Sequence, residues 1–239
     1  MQLFGLVGRN ISYSFSRKFF SEKFTRLRID ATYENFDIED ISRLPEILSS
    51  PQLRGFNVTI PYKEEVIPYL DNLSADAAAI GAVNTVRVEP DASLTGHNTD
   101  WIGFYLSLLP MLDRTHKSAL VLGTGGASKA VAYALAKLEI AVHSVSRTGN
   151  LNYGNLKRID FPDPLIIVNC TPLGTFPNIG ASPPLSENFV RPGDIAYDLI
   201  YNPAETQFLK TALMAGARTQ NGLRMLEIQA EKSWEIWNG

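Results

Sequence analysis

The chain has 239 residues, 45% of them hydrophobic, with 22 Lys and Arg against 25 Asp and Glu and a formal net charge of −3. That length allows one large domain or two modest ones. The charge balance argues against a nucleic-acid or anionic-membrane partner, and a single cysteine, Cys170, excludes an intrachain disulfide framework and fits a reducing compartment.

The opening run MQLFGLVGRNISYSFSRKFF has neither the basic region nor the unbroken apolar stretch of a secretory signal. No apolar run approaches the roughly 18 residues of a membrane span, so the expected location is the cytoplasm. Residues 2–8 are short, apolar and closed by glycine, as a strand would be. Residues 16–27 place Phe19, Phe20, Phe24 and Leu27 at helical spacing. Strands are expected at 32–38 and at 55–60, the latter stopped by Pro61. A small-residue helix follows at 73–80. Residues 82–89 and 93–99 flank a turn at Pro90-Asp91, which reads as a hairpin closing a βαβαβ pattern.

The second half alternates strands at 118–122, 140–146, 164–169 and 194–199 with helices at 128–138 and 204–215. Gly216 stands as a natural C-cap of the last of these. Such continuous apolar strands indicate a parallel sheet covered on both faces. A final helix spans 222–237, with Leu223, Leu226, Ile228, Ala230 and Trp234 on its apolar side. The expected class is α/β: an N-terminal α/β substrate domain and a Rossmann-type parallel-sheet dinucleotide-binding domain.

Three segments set Asn and Thr at the edges of apolar runs: residues 57–63 (NVTIPYK), 82–86 (AVNTV) and 96–100 (GHNTD). Amides and hydroxyls are costly to bury without partners. Together with a Lys and an Asp, they read as the polar wall of a pocket for a small oxygen-rich molecule. Downstream, Gly123-Thr124-Gly125-Gly126-Ala127-Ser128 lies after a strand and before a helix, where a dinucleotide fingerprint belongs. Gly123 permits the tight turn and Gly125 lets the backbone approach a pyrophosphate. Ser128 is small enough for close helix packing and able to cap the helix, whose N-terminus faces the phosphates. The next strand ends in Ser146-Arg147-Thr148. An NAD site usually carries Asp or Glu there, whereas Arg147 suits the 2′-phosphate of NADP, with Ser146 and Thr148 as further donors. Lys129 is either a further contact or a solvated helix residue.

Ketone reduction by hydride needs a side chain that protonates the developing alkoxide. His116 and His143 read as structural or exposed, and His97 as shaping its own segment. Lys63, after a proline-stopped strand, is the better acid, although Lys63-Glu64-Glu65 also reads as an exposed helix start. Asp100 is either its partner or a simple N-cap. No metal site is indicated.

The segments together resemble the shikimate dehydrogenase family nearly end to end. They include Ser14-x-Ser16, NVTIPYK (57–63), GAVNT (81–85), GHNTDWIGF (96–104), GTGGASKAV (123–131), NCTPLG (169–174), DLIYNPAETQFL (198–209) and NGLRMLEIQA (221–230). The resemblance implies reversible reduction of 3-dehydroshikimate to shikimate with NADP(H). It implies that Ser14 and Ser16 bind the substrate carboxylate and that Thr59, Asn84 and Asp100 bind ring hydroxyls. Lys63 would be the acid/base with Asp100 as partner, and Tyr201 and Gln229 would line the cleft. It further implies a substrate domain of residues 1–102 plus 219–239, an NADP-binding domain of residues 103–218, and a site in the cleft between them. Two stretches depart from the family: Arg17 stands where the family has Pro, and the run after Arg147 is short and rich in Gly and Asn where the family has a helix. Quinate or NAD use, or a non-catalytic dinucleotide sensor, are the competing readings. The expected state is a monomer or homodimer.

Overall fold

The computed structural model describes residues 1–12 and 14–239. By contacts it divides into two units, one of Met1–Thr99 with Ala230–Gly239, the other of Asp100–Gln229.

The first unit holds β1 (Gln2–Gly8), α1 (Phe15–Leu27), β2 (Ala31–Asp37), α2 (Leu44–Leu48), β3 (Leu53–Val58), β4 (Asn72–Leu73), α3 (Ala75–Ile80), β5 (Thr85–Val88) and β6 (Leu94–His97). Its sheet runs β2-β1-β3-β5-β6-β4. The first three strands are mutually parallel. β5 and β6 form the expected hairpin, antiparallel to each other, and β5 lies antiparallel to β3. The register sets Thr85 opposite Asn57 on one side and His97 on the other. The carboxyl ends of β3 and β6 and the start of β5 therefore share one edge of the sheet. One core holds Val7, Phe56, Val58 and Val86. A second, on the other face, packs Phe4, Phe20, Phe24 and Tyr33 against Trp237, which is why residues 16–27 repeat Phe at helical spacing.

Several boundaries differ from those expected. β3 ends at Val58: the Thr59 N–H still makes the ladder bond to Val7 O, but the Thr59 carbonyl turns to accept from Tyr62 N–H. The helix expected at 73–80 starts at Ala75: the Ser74 hydroxyl caps it, accepting from Ala77 N–H, while Leu73 pairs with β6. Residues 61–66 form turns rather than a helix start. The short helix α2, with Pro45 in its first turn, carried too little periodicity to be seen.

The second unit holds α4 (Asp100–Leu108), β7 (Ser118–Leu122), α5 (Gly126–Lys137), β8 (Ala141–Val145), β9 (Leu165–Asn169), β10 (Ile195–Asp198), α6 (Gln207–Met214) and β11 (Arg218–Gln220). Helix α7 (Leu223–Asn238) contributes its residues up to Gln229 here and the rest to the first unit. Its five strands, all parallel, run β11-β10-β9-β7-β8. Alternation sends Ala119 and Val121 into one core and Leu120 and Leu122 into the other. Both faces are covered, so the strand reads as one apolar run. The order reverses between β7 and β9, and in open α/β sheets the crevice at such a reversal, outside the carboxyl ends, is where ligands sit. α6 starts at Gln207 rather than 204, because the Thr206 hydroxyl caps it by accepting from Leu209 N–H. Gly216 follows the helix with φ of +84°, as a C-cap glycine should. β11 is too short and polar to show in the sequence.

Candidate active site

Asn57 of β3 accepts from the Tyr33 hydroxyl at 2.8 Å. It donates to the Asn84 carbonyl at 3.1 Å, to the Thr85 hydroxyl at 3.1 Å and to the Ser233 hydroxyl at 2.9 Å. Asn84 donates to the Thr99 hydroxyl at 2.9 Å and accepts the Thr99 N–H at 2.6 Å. Thr85 and Ser233 hydroxyls lie 2.8 Å apart. All six side chains are buried. The three Asn/Thr segments are thus brought together by the sheet register, and their amides and hydroxyls satisfy one another, as burial demands. Asn98 adds a bond to the Ala82 carbonyl at 2.9 Å. Tyr33 and Ser233 were not read from the sequence as members of this network. The available signal was the i, i+4 spacing of Gln229 and Ser233, which puts both on one face of α7.

Lys63 follows β3 by five residues, beyond a cis Ile60–Pro61 bond, and is half-buried. Its carbonyl accepts from Val83 N–H at 2.7 Å. That bond ties the 57–63 segment to the segment carrying Asn84. Thr59, also half-buried, anchors its N–H on Val7 O at 2.9 Å. Asp100 opens α4 and is 6% exposed. It sits at a helix N-terminus, where the dipole favours a carboxylate.

Ser14 caps α1, accepting the Ser16 N–H at 3.1 Å. Ser16 is buried against Tyr33, whose phenol is pushed up by burial and eased by a hydrogen bond with Ser16. Arg17 and Lys18 turn to exposed partners, Glu34 at 3.7 Å and Glu22 at 3.9 Å. The departure from the family at Arg17 therefore sits on the outer face of α1.

Gln229 is buried on α7 and donates to the Leu226 carbonyl at 3.1 Å. Half-buried Tyr201 lies on the loop after β10. That loop is held by Asp198, which accepts from Asn169 at 3.1 Å, Ile200 N–H at 3.0 Å and the Thr206 hydroxyl at 2.6 Å. Burial raises the Asp198 carboxyl, and those three hydrogen bonds oppose the rise. The clamp explains why the NCTPLG and DLIYNPAETQFL segments carry Asn169, Asp198 and Thr206, roles not visible in the sequence.

The glycine loop leaves β7 at Gly123, whose φ of +109° only glycine adopts without strain. A Cβ on Gly125 would meet nothing within 4 Å, so the backbone ahead of α5 is open to a pyrophosphate, and Gly126 and Ala127 begin the helix with N–H groups available to it. The helix is capped at Gly125 with no side-chain cap. Ser128 does not cap as expected: its hydroxyl donates to the Gly125 carbonyl at 2.6 Å and stiffens the loop from within. Ser146 accepts the Gly149 N–H at 2.7 Å, while Arg147 and Thr148 are exposed. The run after them opens with no α-helix but with a turn built on Asn152 and Asn155, which bond back to the Gly149 and Asn150 carbonyls, and closes in a single 3₁₀ turn at Arg158–Asp160. These residues fit a dinucleotide bearing a 2′-phosphate. Of the histidines, His97 has its imidazole lowered by burial, His116 is buried beside Asp113, and His143 lies edge-on to Phe161. Among the described residues, no cluster could hold a metal and no helix is long and apolar enough to cross a membrane.

Residues 6–86 match the shikimate dehydrogenase substrate binding domain. The shikimate dehydrogenase (NADP(+)) of Methanococcus maripaludis is 37% identical over 259 residues, spanning 100% of this chain and 92% of that protein. That of Carboxydothermus hydrogenoformans is 40% identical with the same coverage. The shikimate 5-dehydrogenase of Thermus thermophilus, solved in complex with NADP(H) and shikimate, superposes with a TM-score of 0.88 at 32% identity, covering 100% of this chain and 94% of that one.

Proposed function

The chain belongs to the shikimate dehydrogenase family, and from this we infer that it interconverts 3-dehydroshikimate and shikimate with NADP(H), with Lys63 as the acid/base. The carrying observation is the tether from the Lys63 carbonyl to Val83 N–H, 2.7 Å long, which fixes the backbone of half-buried Lys63 beside the segment that bears the buried Asn57–Asn84–Thr99 network. Bound NADPH supplies the hydride that reduces the ring ketone. Lys63 gives a proton to the oxygen as negative charge develops there and takes it back in the reverse direction. Asp100 holds the ammonium oriented and takes a ring hydroxyl, with Thr59 and Asn84 taking others. Ser14 and Ser16 turn hydroxyl protons to the carboxylate, and Gln229 and Tyr201 complete the substrate's surroundings. A ring acid with several hydroxyls needs this many fixed donors and acceptors.

Gly123, Gly125, Gly126, Ala127 and Ser128 hold the pyrophosphate, and Ser146, Arg147 and Thr148 the 2′-phosphate. An Arg in place of an acidic residue at the end of the second strand supports NADP over NAD. The reaction belongs to the cytoplasm, with a monomer or homodimer as the working state and no nucleic-acid partner. The test is an absorbance assay for reduced cofactor, with shikimate and quinate each offered NADP⁺ and NAD⁺. Turnover confined to shikimate with NADP⁺ is the expected result. Preference for quinate or NAD⁺ would overturn the specificity, and tight NADPH binding without turnover would restore the sensor reading.

A further inference from the structure

Strand β10 has a fully buried carboxylate at each end: Asp194 just before it and Asp198 as its last residue. Asp194 is neutralised by the Arg158 guanidinium at 3.1 Å. Asp198 has no such partner: among the described residues no Lys, Arg or His pairs with it. Neutral donors surround it instead. Its Oδ1 accepts from Asn169 Nδ2 at 3.1 Å and from the Ile200 N–H at 3.0 Å, and its Oδ2 from the Thr206 hydroxyl at 2.6 Å. Each of these is committed as a donor. The Asn169 oxygen is taken by the Thr171 N–H at 3.0 Å, and Thr206 Oγ1 accepts the Leu209 N–H at 3.3 Å. Donors on every side favour the carboxyl as an anion. A buried anion without a counter-ion is costly, and such groups cluster at functional sites.

The sheet register places that charge. Asp198 stands opposite Asn169, and Asn169 opposite Leu122, the residue before the glycine loop. All three end their strands at the carboxyl edge, so Asp198 lies two strand spacings, roughly 10 Å, from the start of that loop. β8, which leads to Arg147, is on the far side of β7. With the pyrophosphate at Gly123–Gly126 and the 2′-phosphate at Arg147, as proposed above, the nicotinamide half of the dinucleotide runs the other way, toward β9 and β10. The charge is felt there: burial pushes up the thiol of Cys170, which follows β9, and Asp198 adds to the rise. An oxidised nicotinamide ring carries a positive charge that the reduced ring lacks. We propose that the buried, uncompensated Asp198 carboxylate sets which oxidation state of the cofactor is held more tightly, favouring NADP⁺ over NADPH. In ketone reduction the same charge favours the ring that is left cationic as hydride departs.

Asp198 has this role only if NADP(H) lies as proposed above, and calorimetric titration separates the two claims. The ligands are NADP⁺, NADPH and 2′-phospho-ADP-ribose, which lacks the nicotinamide. In Asp198→Asn the Kd for NADP⁺ should rise about tenfold, the attraction between unit charges roughly 10 Å apart at an effective dielectric of about 20, while the other two stay within about twofold. Asp198→Ser sets no amide N–H against the surrounding donors and should show the same selective loss if the Asn variant fails to fold. Thr206→Val loosens the loop but keeps the charge, so the ratio of NADP⁺ to NADPH affinity should stay at its wild-type value. Equal losses for all three ligands in the Asp198 variants, or an unchanged ratio, would make Asp198 a loop clamp alone and overturn the proposal. Failure of the wild type to bind any of the three would overturn the NADP reading and this inference with it.

Discussion

Asn84 and Thr99 are joined side chain to side chain and side chain to backbone: the Asn84 amide donates to the Thr99 hydroxyl at 2.9 Å, and the Asn84 oxygen accepts the Thr99 N–H at 2.6 Å and faces the Thr99 hydroxyl at 3.2 Å. Both are buried. The pair locks the start of β5 to the segment that follows β6.

Replacing Asn84 with Ala leaves that N–H and hydroxyl without these partners in a buried site. Each such group costs about 1–3 kcal/mol. Urea denaturation of Asn84→Ala should show a lower midpoint with an unchanged slope, and its KM for shikimate should rise. An unchanged midpoint would mean that the network is not formed in solution.

Lys63→Ala should lower kcat by about 10²–10⁴-fold, the usual contribution of a general acid–base. NADPH affinity, measured by fluorescence, should stay within about twofold, because no cofactor contact is assigned to Lys63. Turnover close to wild type would remove Lys63 from the role of acid.

Gly103 of α4 lies against α7 so closely that a Cβ there would stand 2.6 Å from the Met225 carbonyl and 3.2 Å from the Gln229 Cβ. Gly103→Ala should therefore cost about 1–3 kcal/mol through overpacking. It should also raise KM for shikimate through displaced Gln229, while NADPH binding holds. Thermal melting and steady-state kinetics read the two effects separately.

Arg147 is exposed at the end of β8. If it holds the 2′-phosphate, Arg147→Ala forfeits charge-assisted hydrogen bonds of about 1.5–3 kcal/mol. KM for NADP⁺ should rise about tenfold or more while activity with NAD⁺ is unchanged. Equal losses with both cofactors would place Arg147 outside the phosphate site.

The Thr115 hydroxyl and N–H, with His116 as a lesser contributor, hold the exposed Asp113 carboxyl at about 2, below its ordinary 3.8. A depressed folded pKa means that the unfolded chain binds the proton more readily, so stability falls with acid. The stability that Asp113 contributes is complete above pH 3.8 and is lost as pH falls toward 2. The difference in melting temperature between the wild type and Asp113→Ala should be constant above that window and close within it.

The dinucleotide unit was the more legible half. β7 and β9 are buried on both faces, so every residue but Asn169 at the end of β9 is apolar or small and the strands declare themselves. Gly123 must take a φ of +109°, which the sequence advertises as glycine. The substrate-side residues were legible as unusual placements of Asn and Thr, and as matches to the family's motifs. Where the elements slipped, short-range hydroxyls decided the limit: Ser74 and Thr206 cap α3 and α6 later than apolar periodicity alone suggests.

The sequence by itself determined the family, the α/β class and the glycine loop, because each is carried by contiguous residues whose spacing or backbone demand is local. Only the tertiary structure decided what those polar side chains bond to. Ser233 reaches Asn57 across 176 positions and Thr85 across 148, and Trp237 donates to Val86 151 positions away. A hydrogen bond between residues so far apart depends on sheet register and helix packing rather than on any local spacing, so nothing in the sequence near either partner announces it.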